Sequence, residues 1–167
     1  MIFATLGTDH HPFDRLVAWL SEAIDAGIIK EQVVIQHGFT EVNDPRLEKY
    51  KMIGFDEMMR YFDQASVVIT HASSTAMLVC HHRRRPIVVP RNPELGEHID
   101  NHQREFIEAT REVYPFFVAY NRDDFFEGLR NSVEVSAWDD AFEVGGRAAI
   151  QQFKSEFEKL IAEPYST

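Results

Sequence analysis

Short apolar runs alternate along the chain with longer segments in which apolar residues recur every three or four positions. The short runs are rich in β-branched residues and occupy residues 1–6, 32–36, 67–70 and 86–90. The longer segments have helical spacing and occupy residues 13–24, 56–65, 76–82 and 100–110. Strands that alternate with helices in this way are typical of an α/β domain with a parallel sheet.

Other parts of the chain give weaker patterns. Residues 41–51 are polar and predict a loop, and residues 52–55 predict a short strand. Aromatic and β-branched residues predict a last strand within residues 113–120, followed by a helix that begins at Asp123 or Asp124. The pattern of residues 132–137 is ambiguous. A final helix is predicted at residues 147–162, and its apolar face packs either on the core or on a partner helix.

Residues 66–103 carry the most information about function. Two apolar strands separated by one helix form a βαβ unit, whose crossover makes the strands parallel. Polar clusters follow both strands, at residues 71–75 and 92–103. Ligands of open parallel sheets bind outside the carboxyl ends of the strands. We therefore expect the two clusters to lie beside one pocket.

The chemistry of the clusters indicates what such a pocket binds. The helix after Thr75 begins with unpaired backbone N–H groups and a favourable dipole, so the first cluster suits a phosphate. The second cluster is dense in amide, carboxylate and imidazole groups, which suit a hydroxyl-bearing ligand such as a sugar. The alternative is a solvated loop in which Asp100 caps a helix. The position of the cluster at a strand end favours binding.

The first strand ends in a similar turn. Gly7 allows a close approach of the backbone to a ligand, and Thr8 or Asp9 can cap the helix that follows. The neighbouring His10 and His11 then lie at the predicted cleft, where an imidazole is a candidate general base.

Composition limits the class of protein. The 167 residues are predicted to form one domain, and a net charge of −10 disfavours nucleic acid and anionic membranes as partners. The basic run Arg83-Arg84-Arg85 is either a solvated helix end or a contact for lipid phosphates. One cysteine, Cys80, excludes an internal disulfide and favours a reducing cytosol. No signal peptide or membrane span is predicted.

Histidines raise the question of a metal. His98 and His102 lie four residues apart on a predicted helix and could share a cation, but the sequence offers no third ligand for a catalytic zinc. Cys80 lies in an apolar helix, which does not activate a thiol. We predict no metal and no cofactor, although a hydrolase that uses His98 and His102 remains an alternative.

Several of these motifs together resemble one enzyme family. His71-Ala72 after a strand, the apolar strand that ends in Pro90, and the loop that closes in Asn101-His102-Gln103 resemble the C-terminal, nucleotide-sugar-binding half of glycosyltransferase family 28. The opening turn, residues 5–8, is also similar. The small stand-alone members are the most similar: the E subunit of the bacterial exopolysaccharide D/E pair and the catalytic subunit of the eukaryotic N-acetylglucosaminyltransferase that acts on a dolichol-linked sugar.

The resemblance implies a Rossmann-like parallel sheet flanked by helices, as in the C-terminal half of a two-lobed (GT-B) enzyme. It implies a UDP-sugar-dependent hexosyltransferase subunit that acts on a lipid-linked acceptor in polysaccharide biosynthesis. A membrane-anchored partner would bind the acceptor, so the chain would be cytoplasmic and peripheral at the inner face of the membrane, with homo-oligomers as a further option. His10 and His11 are the candidates for the catalytic base in this chain, with a base from the partner as the alternative. The implied donor-binding residues are Gly7, Thr8, His71, Ser73, Ser74, Thr75, Asn92, Glu94, Glu97, His98, Asn101, His102 and Gln103.

Three positions depart from the family pattern. Ser73 and Thr75 stand where the family has glycines, and Val79 stands where many members have a carboxylate that binds the ribose diol. A side chain at a position that needs positive φ would strain the turn. These departures support an alternative function, a catalytically silent nucleotide-sugar-binding or scaffold subunit of the same complex.

Overall fold

A computed structural model describes residues 1–139 and Ser155. Its centre is a sheet in which every pair of neighbouring strands is parallel. The strands are β1 (Ile2–Thr5), β2 (Val33–Gln36), β3 (Leu47–Tyr50), β4 (Val67–His71), β5 (Ile87–Val89) and β6 (Phe117–Val118). Their order across the sheet is β3-β2-β1-β4-β5-β6. The chain first adds β2 and β3 on one side of β1 and then returns to add β4, β5 and β6 on its other side, so the strand order reverses between β1 and β4. Open sheets of this order bind ligands in the crevice at that reversal.

Helices cover both faces of the sheet. They are α1 (Asp14–Asp25), α2 (Phe55–Gln64), α3 (Ser74–His81), α4 (His102–Thr110), α5 (Arg122–Arg130) and α6 (Ser132–Val135), with a 3-10 turn at Pro93–Leu95. Leu16 and Leu20 of α1 pack with Phe125 of α5 on one face. Phe62 of α2 and Leu78 of α3 pack on the other. The predicted Rossmann-like α/β fold is confirmed.

Burial explains why the central strands were recognisable in the sequence. Every residue of β1, β2 and β5 is buried, and so are the first four of β4, because helices cover both faces. Such strands appear as continuous apolar runs rather than as alternating patterns.

The outer strand β3 corrects the sequence analysis. Residues 41–51 were expected to be a loop, yet Leu47–Tyr50 pairs with β2 in parallel. The strand was missed because it lies at the sheet edge, where Leu47 alone is buried and the next three residues are exposed. The short strand expected at residues 52–55 is also wrong, since α2 begins at Phe55.

Helix caps differ from those predicted as well. Neither Thr8 nor Asp9 caps α1. No side-chain hydrogen bond caps α1, and its N-cap residue is Phe13. The backbone N–H of Phe13 donates a 3.0 Å hydrogen bond to Oγ1 of Thr40, from the loop after β2. The helix predicted to begin at Asp123 or Asp124 is capped one turn earlier by Asn121, whose side chain accepts from the Asp124 N–H.

The ambiguous segment at residues 132–137 contains the short helix α6. The final helix predicted at residues 147–162 lies outside the described residues, apart from Ser155. Among the described residues, no helix is both long enough and apolar enough to cross a membrane.

Candidate functional site

A pocket of about 660 Å³ opens at the carboxyl ends of the strands, beside the reversal between β1 and β4. The turn after β1, the end of β4 and the start of α4 form its walls. Its lining residues are Thr8, Asp9, His71, Ala72, Ser73, His98, His102, Gln103, Glu105, Phe106 and Ala109. The predicted convergence of two polar clusters on one cavity is confirmed, while the roles of these residues in binding stay predictions.

Gly7 brings the turn after β1 against the end of β4. Its φ is +83°, and a Cβ atom built there would lie 2.6 Å from Cε1 of His71. Gly38 approaches the same turn from β2, since a Cβ there would lie 2.3 Å from the carbonyl oxygen of Gly7. The turn therefore needs glycine for its conformation and for the space occupied by the His71 ring.

We expect Gly7→Ala to be more destabilising than Gly27→Ala. Both glycines have positive φ, but a Cβ at Gly27 meets nothing within 4 Å. Gly27→Ala should cost about 1–2 kcal/mol from backbone strain alone, and the collision with His71 should add about 1–3 kcal/mol at Gly7. Urea unfolding of the two variants measures the difference, and equal losses would show that the contact between Gly7 and His71 carries no constraint.

His71 presents a neutral ring to the pocket. One edge of the ring lines the cavity, whereas its Nδ1 atom is buried and has no hydrogen-bond partner among the described residues. Burial lowers the pKa of His71 to about 3, and the charge of Arg91 adds to this effect, while the Thr5 backbone and the Asp9 carboxylate oppose it. The imidazole is therefore uncharged near neutral pH.

The residues that replace the family's glycines fit the turn without strain. Ser73 is extended, with φ −155°, and its Oγ accepts a 3.2 Å hydrogen bond from the Thr75 N–H, so it caps α3. Among the described residues, the sole non-glycine with positive φ is Arg83. Ser74 is exposed and Thr75 is buried in the first turn of α3. The strain expected for side chains at these positions is absent.

Val79 lies inside the apolar cluster under α2 and α3, together with Met58 and Phe62, and is fully buried. Its side chain cannot hydrogen bond to a ribose hydroxyl. A carboxylate at this position would be buried among apolar groups, which is costly for a charge.

Arg91, the first residue after Pro90, organises the floor of the site. The side chain is 1% exposed. Its Nη1 donates to the carbonyl oxygens of His11 at 2.6 Å and Glu97 at 3.0 Å, and its Nη2 donates to that of Leu6 at 2.8 Å. Its guanidinium also lies over the ring of Phe13. Arg91 thus connects the loops that follow β1 and β5.

Two side chains hold the far end of the loop after β5. Gln103 accepts a 2.9 Å hydrogen bond from the Arg91 backbone N–H through its Oε1. Glu97 is buried, and both of its carboxylate oxygens accept from Arg15, at 2.8 and 2.7 Å. One of these oxygens also accepts from the Asn92 N–H at 2.8 Å. Bidentate arginine–carboxylate pairs are strong and directional, so this contact fixes the loop against α1.

The structure separates the predicted donor-binding residues into two groups. Six of them line the pocket, and Gly7 supports His71 beside it. The others lie elsewhere: Asn92 accepts from the Glu94 N–H, Glu94, Asn101 and Ser74 are exposed, and Thr75 is buried in α3. The carboxylate of Glu97 is fully engaged by Arg15 and Asn92. The predicted donor-binding residues that line the pocket are Thr8, His71, Ser73, His98, His102 and Gln103.

Imidazoles and carboxylates alternate along the rim of the pocket. Asp9 Oδ1 lies 2.6 Å from His11 Nδ1, and its Oδ2 lies 3.6 Å from His98 Nε2. Asp100 lies 3.1 Å from His98 Nδ1 and 2.5 Å from His102 Nδ1. Hydrogen bonds from His102 lower the pKa of Asp100, and the Asp100 carboxylate raises the pKa of His102. We call these five residues the rim chain.

The rim chain corrects the predicted placement of the histidines. His98 and His102 were expected on one helix, but α4 begins at His102 and His98 lies in the preceding loop. Within residues 1–139 no three or more His, Cys, Asp or Glu side chains are arranged so that they could hold a metal ion. The two histidines are instead joined through Asp100, which accepts from the His102 N–H at 3.0 Å. The N-cap position of α4 is Asn101 rather than Asp100.

Several important residues were not identified from the sequence. Asp9 was weighed as a helix cap alone, and Glu105, Phe106 and Ala109 looked like ordinary positions of a predicted helix. Arg91 gave no signal, because a single arginine after a strand resembles a solvated loop residue. The proline that precedes it marked the end of the strand and was the nearest available signal.

A comparison with known protein families identifies a relationship for this chain. The family model described as the glycosyltransferase family 28 C-terminal domain matches residues 1–129. This range contains all six strands, α1 to α4 and every residue that lines the pocket. No curated protein matches the chain.

Proposed function

The chain belongs to the family of glycosyltransferase family 28 C-terminal domains, and from this membership we propose that it is a UDP-sugar-dependent hexosyltransferase subunit. The observation that carries the proposal is the pocket of about 660 Å³ at the reversal between β1 and β4. Pockets for small ligands usually measure about 300–1,000 Å³. The volume suits one nucleotide sugar.

The start of α3 supports a diphosphate at that end of the pocket. The first N–H groups of α3 and its dipole attract an anion, and Ser73 already fixes the start of the helix. Gly7 lets the turn after β1 approach the same place, and the neutral His71 offers an uncharged surface. Backbone N–H groups and hydroxyls would then stabilise the charge on the leaving diphosphate.

Groups from the start of α4 suit the sugar. Gln103 uses its Oε1 for the Arg91 N–H, which leaves its amide N–H₂ as the group that can donate to a sugar oxygen. His102 and Glu105 add a donor and an acceptor at the same wall. No sugar among the hexoses is favoured by these contacts.

The open shape of the pocket supports a two-part enzyme. In the chain alone the cavity faces solvent, with Glu105 and Ala109 of its wall exposed. Enzymes that transfer groups exclude water when they close. We propose that a membrane-anchored subunit closes the pocket and brings a lipid-linked acceptor of polysaccharide biosynthesis, as in the small two-part members of the family. The chain then works at the cytoplasmic face of the membrane.

Titration with UDP and UDP-hexoses tests donor binding. We expect a dissociation constant between about 1 μM and 1 mM, the range in which KM values usually fall. Ala109→Trp should weaken binding at least about tenfold, because an indole at this position fills the pocket. Ala18→Trp is the matched control, since Ala18 is an exposed helical alanine of α1. Calorimetric titration measures both variants.

One observation favours a second function, a catalytically silent binding or scaffold subunit. Val79 is buried and cannot bind a ribose hydroxyl. The chain therefore lacks the carboxylate that binds the ribose diol in many members of the family. The same titration separates the transferase from a scaffold that has lost the donor site, whereas a silent subunit that still binds the donor is recognised by binding without UDP release. If the chain and its partner subunit together bind no UDP or UDP-hexose, the scaffold function is favoured and the transferase function is refuted.

A further inference from the structure

His11 is held at three points, two on its backbone and one on its ring. Its backbone N–H donates to Asp9 Oδ1 at 2.8 Å, and its ring Nδ1 lies 2.6 Å from the same oxygen. Its carbonyl oxygen accepts from the buried Arg91 at 2.6 Å. A loop residue fixed in this way is already ordered before a substrate arrives.

The opposite edge of the ring remains open. The His11 side chain is 38% exposed, and the structure gives its Nε2 atom no hydrogen bond to any residue among those it describes. A carboxylate that accepts from Nδ1 fixes the tautomer with hydrogen on Nδ1 and leaves Nε2 as the acceptor. Nε2 can therefore receive a proton.

Asp9 is itself oriented by the rim chain. Its second oxygen lies 3.6 Å from Nε2 of His98, and Nδ1 of His98 lies 3.1 Å from Asp100. Burial tends to raise the pKa of Asp9, but hydrogen bonds from His11 and the charge of Arg91 outweigh it, and the net pKa is lowered. Asp9 is an anion that keeps its place at the pocket wall.

His10 has a different environment. Its ring packs on Phe39 with centroids 4.3 Å apart. Phe39 lines a separate recess of about 360 Å³ after β2, together with Lys49 and Lys51. Of the two adjacent histidines, His11 is the one that is attached to the wall of the main pocket.

We propose that Asp9 is a positioning residue that holds His11 as the general base of the transfer reaction. The inference rests on the proposed function. The acceptor oxygen forms a bond to the anomeric carbon while the bond from that carbon to the diphosphate oxygen breaks, and the electron pair leaves with UDP. The hydroxyl proton moves to Nε2 of His11, which becomes an imidazolium ion beside the Asp9 carboxylate. Asp9 takes no proton.

The tautomer of His11 tests the positioning role without any substrate. In ¹⁵N-resolved NMR spectra at a pH where the ring is neutral, we expect hydrogen on Nδ1 of His11 in the native chain. Asp9→Ala should shift the ring toward the tautomer with hydrogen on Nε2, because the acceptor is lost. Asp63→Ala is the matched control, since Asp63 lies 3.1 Å from His82 away from the pocket. An unchanged His11 tautomer in Asp9→Ala would overturn the positioning role.

Turnover tests the base. UDP release from UDP-hexoses is measured with the chain assembled with its partner subunit, alongside the UDP titration. His11→Gln and Asp9→Ala should lower turnover by about 10²–10⁴-fold, the usual contribution of a general base, with UDP affinity unchanged. The control variants His82→Gln and Asp63→Ala should keep native turnover.

The outcomes separate the inference from the function on which it rests. If the native assembly binds the donor and releases UDP but His11→Gln keeps native turnover, His11 is not the general base, and the proposed transferase function is retained. If His10→Gln loses turnover while His11→Gln does not, the base is His10. If the native assembly neither binds nor releases UDP, the proposed transferase function is refuted, and the role of His11 as its general base is refuted as well.

Discussion

Arg91→Met is expected to lower the free energy of unfolding by about 3–5 kcal/mol, the largest loss that we predict for one substitution. Methionine keeps much of the volume but removes the donors to the carbonyl oxygens of Leu6, His11 and Glu97. The oxygens of Leu6 and Glu97 then remain buried without this partner, and each unpaired buried group costs about 1–3 kcal/mol. Urea unfolding followed by far-ultraviolet circular dichroism measures the loss.

Arg122→Met is the matched control. The Arg122 side chain is 49% exposed, forms an ion pair with Glu22 and lies 4.2 Å from the centroid of the Phe126 ring. Exposed ion pairs contribute about 1 kcal/mol or less, so this variant should stay close to the native stability. Comparable losses in the two variants would mean that the two loops joined by Arg91 do not depend on its hydrogen bonds.

As the pH falls, the free energy of unfolding is expected to decrease more for the native chain than for the His71→Gln variant. The pKa of His71 is about 3 in the folded chain because of burial, against an ordinary value of 6.5. Between these values the unfolded chain binds a proton that the folded chain does not, so stability is lost as the pH falls below 6.5. Between pH 7.5 and 5 we expect the native chain to lose about 1–2 kcal/mol more than the variant.

Urea unfolding at several pH values measures this difference. His82→Gln is the control, because His82 is a partly exposed histidine at the end of α3. This variant should follow the native curve. Parallel curves for the native chain and His71→Gln over the same pH range would show that the folded state accepts a proton on His71, contrary to its buried environment.

The central fold was predictable because burial on both faces leaves a simple signature. Residues 67–69 and 87–89 are apolar throughout, and a helix of suitable length lies between them. A right-handed crossover then places the two strand ends side by side. This reasoning was sufficient to bring His71 and Gln103 to the same pocket.

The contacts inside the site were not predictable from residue types. Arg91 acts through carbonyl oxygens that belong to residues as distant in sequence as Leu6, and a carbonyl group has no signature in a sequence. The carboxylate of Glu97 is of a type that can bind sugar hydroxyls, but both of its oxygens accept hydrogen bonds from Arg15 of α1. Which polar group meets a partner of the same chain is decided by packing between distant elements.

The edge strand β3 and the positions of His98 and His102 were predicted wrongly for a different reason. β3 has a single buried residue, Leu47, so neither an apolar run nor an alternation appears. His98 and His102 have helical spacing, yet the turn at Pro93–Leu95 and Gly96, which is in the left-handed region, delays the helix until His102. Local spacing could not show where this loop ends.

The two margins of the sheet also determine how chains of this protein meet one another. An exposed strand edge offers unpaired backbone groups to a second molecule and promotes aggregation when it is long and apolar. Here one margin carries the exposed Glu48, Lys49 and Tyr50, and the other, β6, is two residues long. Neither is a good template for adding a foreign strand, so crowded copies of this chain are protected from fibre-like association.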